Sequence, residues 1–240
     1  MDRQECMRRA AEFAVDTYIQ NGMIVGLGTG STASYAVRYL AKQLSAAKLR
    51  DVTAVATSVA TFRLMSELGI PSLEFDDSVS IDVAIDGADA IDGDLNLIKG
   101  GGGALFREKL VELGARKVII IADGTKKVKG HLLQAFHVPV EIVQFGHVVT
   151  ISRILSRVGP HVRSWTKRMN ADGSLYLTDN NNVIMDIEFG PTDLPNLDFE
   201  LRSVHGVVCT GLFLGIASTV VIAHSDGNLE VLSPDTASNS

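Results

Sequence analysis

The chain predicts an α/β fold: a doubly wound, mostly parallel, Rossmann-like sheet joined to a smaller α+β domain of ferredoxin-like pattern. Short apolar runs alternate with amphipathic helical stretches through the first half, the order that builds a parallel sheet covered on both faces. Several of these runs end in polar, Gly-rich clusters, and in such sheets ligands bind beyond the carboxyl ends of the strands. From about Gln134 the order becomes β-α-β-β-α-β, that of a ferredoxin-like unit. The expected domains are residues 1–133 with 207–240, catalytic, and residues 134–206, ferredoxin-like.

Between Glu5 and Gln20, Met7, Ala11, Ala14, Val15 and Tyr18 fall at three- and four-residue steps, which makes one apolar helix face. Asn21-Gly22 closes that helix. Met23 to Leu27 reads as a buried strand running into Gly28-Thr29-Gly30-Ser31-Thr32. The helix that follows has Ala36, Val37, Leu40, Leu44 and Ala47 on one face, with Ser31 or Thr32 expected as its N-cap. Strand, Gly/Ser/Thr turn and helix form the geometry that seats phosphate on a helix N-terminus; the same pattern also serves as a plain capped connection.

A second unit repeats the order. Val52 to Ala56 is a strand, Ser58 an N-cap, and the helix runs through Leu68 to a stop at Gly69, with Ile70 to Phe75 extended beyond it. Ile81, Val83 and Ile85 alternate as a strand that ends at Asp86-Gly87-Ala88-Asp89. Lys117 to Ala122 (KVIIIA) is a strand ending at Asp123-Gly124-Thr125-Lys126. Four clusters are therefore expected at carboxyl ends of strands: GTGST, DGAD, KGGGG and DGTK.

In the second domain Val138 to Val143 reads as strand, and Val148, Ile151, Leu155 and Val158 form a helical stripe. Arg163 to Arg168 and Val183 to Phe189 are strands joined through Asp172-Gly173 and TDNNN. Leu194 to Val204 is a helix and Val207 to Phe213 a last strand of this domain. Val220 to His224 and Leu229 to Leu232, turned by Asp226-Gly227, are expected to rejoin the main sheet, and the tail PDTASNS to be disordered.

Composition narrows the function classes. A net charge of −6 with pI near 5.5 argues against a nucleic-acid binder, which shows a basic patch or stripe. Cys6 and Cys209 form no CxxC pair, so a reducing compartment is the default and both are read as packing residues. The N-terminus has no signal-peptide core and no apolar run reaches membrane-spanning length; the expected location is the cytoplasm, with no membrane partner. The six histidines show neither HxH nor HExxH spacing, and no metal site is expected.

The chemistry concentrates between Asp86 and Glu108, DGADAIDGDLNLIKGGGGALFRE. Gly100 to Gly103 precede a helical stretch from Ala104 to Leu113, and a glycine-rich turn at a helix N-terminus is suited to negative charge. Asp86, Asp89 and Lys99 flank it, which is acid–base equipment and not a phosphate cradle alone. Asp86 and Asp89 also fit as turn formers, as Asp92 and Asp94 do. Glu108 follows Leu105 by three residues, so it borders the apolar side of its helix. Lys126 sits just past a strong strand.

Taken together, GLGTGST, DGAD, IKGGGGALFREK and IADGTK resemble the type A ribose-5-phosphate isomerases, from the N-terminal helix to the terminal hairpin. The resemblance implies interconversion of D-ribose 5-phosphate and D-ribulose 5-phosphate through an enediolate, with no metal or organic cofactor. It implies Glu108 as the base moving a proton between C1 and C2. Asp86, Asp89 and Lys99 then position hydroxyls and handle ring opening and proton traffic. The N–H groups of Gly100, Gly101 and Gly102 hold the oxyanion. Thr29, Gly30, Ser31, Thr32, Lys126 and Arg8 hold the phosphate, with Gly87 and Ala88 lining the substrate. Two positions depart from the family pattern: Ala90 stands where Glu is usual, and Arg8 where a Lys is usual. Guanidinium pairs well with phosphate, so Arg8 can serve. A homodimer or homotetramer is expected.

Two other classes fit parts of the chain. An acyl-CoA transferase or sugar-phosphate deaminase shares the architecture, the former needing a glutamate nucleophile. A sugar-phosphate sensor would keep the binding loops but not the set Asp86, Asp89 and Glu108.

Overall fold

The computed structural model describes residues 1–234; apart from Pro234, the tail expected to be disordered lies outside them. The first helix, α1 (Arg3–Tyr18), is capped by Asp2, whose side chain accepts from the Glu5 N–H. Its buried face, Cys6, Met7, Ala10, Ala11, Ala14 and Val15, follows the predicted spacing. Strand β1 (Ile24–Leu27), helix α2 (Ser31–Ser45), strand β2 (Thr53–Ala56) and helix α3 (Val59–Glu67) come next. Ser58 is the N-cap of α3, accepting from the Thr61 N–H, as its sequence position predicts.

Three short strands follow, β3 (Val83–Asp86), β4 (Ala90–Ile91) and β5 (Leu97–Ile98), then helix α4 (Leu105–Leu113) and strand β6 (Val118–Asp123). The second half holds β7 (Val138–Ile142), α5 (His147–Val158), β8 (Val162–Lys167), β9 (Val183–Phe189), α6 (Leu194–Arg202) and β10 (Val207–Thr210). It closes with β11 (Leu212–Phe213), β12 (Thr219–Ala223) and β13 (Leu229–Leu232).

Two units result. The first comprises residues 1–88, 107–127 and 216–240, of which 235–240 are not described. Its sheet has the order β13-β12-β6-β3-β1-β2, parallel throughout except for the β12–β13 hairpin. Strand β6 is buried at every position, as a central parallel strand covered on both faces must be. The core joins Leu27, Ile85, Ile119, Ile121 and Val221 to Ala10, Ala14, Val37, Leu40 and Met65 from the helices.

The second unit comprises residues 89–106 and 128–215. Its four-stranded sheet, β10-β7-β9-β8, is antiparallel and has the strand order of a ferredoxin-like unit. A second, three-stranded sheet, β11-β5-β4, lies in the same unit. Ala90, Ile98 and Leu212 from that small sheet share one apolar core with Val140, Ile154, Met185 and Leu201.

The second unit takes in residues 89–106 besides 128–215, because the DGAD-to-KGGGG segment supplies two strands of the small sheet, too short and too interrupted by turns to be read as strands from sequence. Three expectations are corrected. The strand expected from Val207 to Phe213 divides at Gly211, where a Cβ would lie 2.5 Å from the Lys99 carbonyl and 2.6 Å from Pro139; the two pieces join different sheets. KGGGG follows β5 of the small sheet and not a strand of the main one. The Ile70 to Phe75 segment makes only an isolated bridge, Ala54 to Ser72. Among the described residues no helix is long and apolar enough to cross a membrane.

Candidate active site

In the first unit, β1 delivers the GTGST loop at its carboxyl end. Gly30, with φ of 106°, occupies the N-cap of α2 and offers no capping side chain. Neither Ser31 nor Thr32 is the cap; they begin the helix, because only a glycine adopts that backbone cheaply. The result is a fifteen-residue helix whose N-cap residue makes no side-chain cap hydrogen bond, a setting that favours an anion.

Asp86 ends β3 and is 1% exposed. Its Oδ1 accepts from the N–H of Thr29 at 3.1 Å and of Gly87 at 2.6 Å. The DGAD loop and the GTGST loop are thereby tied through one carboxylate. Thr29 turns its hydroxyl away into a cluster with Thr57, Ser58 and Thr61 at 2.7, 2.8 and 3.2 Å. What Thr29 contributes is this anchor, in which Thr61 also donates to the Gly28 carbonyl at 2.8 Å.

Helix α4 leads into β6, so its first turn lies toward the carboxyl ends of the strands. Val111 packs on β1 at Gly26, and Glu108, one turn earlier, is 4% exposed. The sequence reading placed Glu108 beside the apolar face, and burial agrees. It missed Glu112, one turn further on and also buried; i, i+4 spacing from Glu108 was the available signal.

Asp123 ends β6 and caps a short 3₁₀ turn (Gly124–Lys126) by accepting from the Thr125 N–H. Burial works to raise its carboxyl, but the bonds from Thr125 and Arg3 outweigh that and hold it below the ordinary range. Lys126 closes this turn half-buried. Arg8 is exposed on α1 and paired with Glu5 and Glu12 at 2.5 and 2.6 Å. Exposed pairs of this kind contribute about 0–1 kcal/mol, so an anion can draw Arg8 away at small cost.

In the second unit, the side chain of Asp89 accepts from the Gly101 N–H at 2.7 Å, and its own N–H donates to Ile98. Lys99 is 2% exposed, with its Nζ 5.4 Å from the centre of the Phe213 ring. In the glycine run the Gly103 N–H donates to the Gly100 carbonyl at 2.9 Å. Two of the run's N–H groups are thus engaged within the protein, and the run is not a row of open donors.

Sequence reasoning missed what sits on the other side of the run. Arg168, just past β8, donates from Nη1 to the carbonyls of Gly100 at 2.8 Å and Gly101 at 3.2 Å. It also forms a two-pronged pair with Asp186. The Tyr176 hydroxyl donates to the Gly102 carbonyl at 3.3 Å. No local motif announces these residues, which reach the run only through the sheet fold. His131, His137, His147, His161, His205 and His224 lie scattered, and among the described residues no group of side chains is arranged to hold a metal ion.

A helix N-terminus whose cap residue has no side chain and a buried carboxylate, both at the carboxyl edge of a parallel sheet, lie where folds of this class bind anions and carry acid–base chemistry. The family model for ribose 5-phosphate isomerase A (phosphoriboisomerase A) matches residues 53–227. A ribose-5-phosphate isomerase A of Desulfatibacillum aliphaticivorans is 43% identical over 96% of this chain and 99% of its own. The ribose 5-phosphate isomerase of Plasmodium falciparum superposes with a TM-score of 0.92 at 36% identity, over 96% of this chain and 98% of that one. A D-ribose-5-phosphate isomerase solved in complex with phospho-erythronic acid gives 0.90 at 34% identity, over 97% and 100%. The chain belongs to the ribose 5-phosphate isomerase A family and is an isomerase.

Proposed function

We propose that this chain interconverts D-ribose 5-phosphate and D-ribulose 5-phosphate by proton transfer through an enediolate, a step of the non-oxidative pentose phosphate pathway. The observation that carries the reading is the family match over nearly the whole chain. The ligand of one relative supports the chemistry: phospho-erythronic acid combines a phosphate with a planar, charged carboxylate, and the enediolate of a pentose phosphate likewise combines a phosphate with a planar carbon centre bearing a charged oxygen.

Glu108 takes the proton from C2 of the open-chain aldose while the carbonyl oxygen at C1 becomes the oxyanion; it returns the proton to C1 as the C2 hydroxyl loses its own and becomes the ketone. Such a base contributes roughly 10²–10⁴-fold. Asp86, Asp89 and Lys99 orient hydroxyls and carry the oxygen-bound protons, including those moved in ring opening. In a glycine run whose Gly101 and Gly103 N–H groups already bond Asp89 and Gly100, the Gly102 N–H is assigned to the oxyanion, a donor of this kind contributing about 10²–10³-fold. Gly30, Ser31 and Thr32 at the α2 N-terminus, with Lys126 and Arg8, take the phosphate; Gly87 and Ala88 line the substrate and Thr29 anchors the loop.

The chain acts in the cytoplasm as a homodimer or homotetramer. Phe145 at 94% exposure, with exposed Val148 and Val149 beside it in sequence, is a surface that association would cover. The test of the function is direct conversion of ribose 5-phosphate to the ketose, with and without EDTA. Equal turnover is expected in both; no conversion, or loss in EDTA, would contradict the reading.

A further inference from the structure

We infer that Arg168 and Tyr176 are positioning residues that set the glycine run for the reaction by holding its carbonyls from behind. The inference rests on the proposed isomerase chemistry and adds two residues that the motifs do not contain.

The geometry is specific. One guanidinium nitrogen of Arg168 takes the Gly100 and Gly101 carbonyls together, and the peptide bonds of the described residues are trans. In a trans peptide the C=O and the following N–H point in opposite directions. Converging the two carbonyls on Arg168 therefore turns the N–H groups of Gly101 and Gly102 to the opposite side. That side is where Asp89 takes the Gly101 N–H. Tyr176 fixes the next peptide through the Gly102 carbonyl.

Arg168 is itself held. Asp186 bonds its Nε and Nη2, His137 reaches the same carboxylate at 3.2 Å, and the Tyr176 ring lies 5.8 Å from the guanidinium carbon. The guanidinium makes four bonds here, two to Asp186 and one each to the Gly100 and Gly101 carbonyls; an ammonium has three donors and no planar fork. Burial raises the Tyr176 phenol above its ordinary value, so the hydroxyl keeps its proton as donor. A Cβ on Gly103 would meet the Tyr176 oxygen at 2.1 Å, which fixes a glycine there for the tyrosine.

The test compares Arg168→Ala, Arg168→Lys and Tyr176→Phe with the parent, per folded molecule. Arg168→Ala is expected to lower kcat by about 10²-fold with KM for ribose 5-phosphate changed less than threefold, since oxyanion donors act in the transition state. Millimolar guanidinium should restore part of that loss, Arg168→Lys should recover little, and Tyr176→Phe should cost a few-fold in kcat. A purely structural role predicts a lower melting temperature with kcat per folded molecule intact; direct phosphate binding by Arg168 predicts a rise in KM. Either result overturns the inference. A second readout does not depend on turnover. Gly101 amide hydrogen exchange should accelerate at least tenfold in Arg168→Ala, and unchanged protection overturns the inference even if the parent fails to isomerise the sugar and the functional reading falls on its own.

Discussion

Gly28 and Asp86 occupy one space: a Cβ on Gly28 would lie 1.9 Å from Asp86 Oδ1. The carboxylate reaches the loop after β1 only because residue 28 has no side chain, and from there it bonds the Thr29 and Gly87 N–H groups. Gly28→Ala is therefore expected to displace Asp86. Overpacking of this kind costs about 1–3 kcal/mol, and turnover should fall with it. Urea unfolding and a kcat measurement check the two effects; a variant of parental stability and rate would show that the loop yields freely.

Lys126 tests the phosphate assignment. Phosphate lies away from the reacting carbons and is bound in ground and transition states alike, so Lys126→Ala should raise KM more than it lowers kcat. Unchanged KM would remove Lys126 from the site.

Ala90 is 1% exposed in β4 and belongs to the apolar core of the second unit. A carboxylate placed there loses hydration without an assured partner. Ala90→Glu is expected to lower the melting temperature, while turnover per folded molecule changes by less than about tenfold, or roughly 1.4 kcal/mol of barrier. A gain of several orders of magnitude would instead mark the alanine as a catalytic loss.

Asp186 gives a pH signature. Burial raises its carboxyl, but hydrogen bonds from His137 and Arg168 outweigh burial and leave it lowered. A lowered carboxyl contributes stability that is complete above its unfolded value, about 3.9, and is lost as pH falls through the folded value. Asp123 adds in the same direction. Stability of the parent should thus drop below about pH 4, and Asp186→Asn should be less stable at pH 7 but show a shallower drop. Denaturant midpoints at pH 7 and pH 3.5 decide; an equal drop in both proteins would exclude the contribution.

What was legible in the sequence follows from range. The α1 face, the Ser58 cap and strand β6 are set by local spacing and local hydrogen bonds, and each forms as read. Glu108 was legible because its burial follows from its position on one helix. The small sheet was not, because β4 and β5 have two residues each and exist only by pairing with each other and with β11. Nor was Arg168: its hold on Gly100 spans 68 positions, and no periodicity carries that far. The Ser31 or Thr32 cap failed because the positive φ of Gly30 moved the start of α2 by a residue.

The central claim is that Glu108 is the base. Glu108→Gln preserves shape and helix position, and a first-turn carboxylate contributes only about 0.3–1 kcal/mol through the helix dipole, so folding and ribose 5-phosphate binding should survive. The deciding measurement is kcat of that variant, read with exchange of the substrate C2 hydrogen into solvent. The account predicts that both fall together by about 10²–10⁴-fold. A folded Glu108→Gln protein that binds ribose 5-phosphate and isomerises it near the parental rate would contradict it.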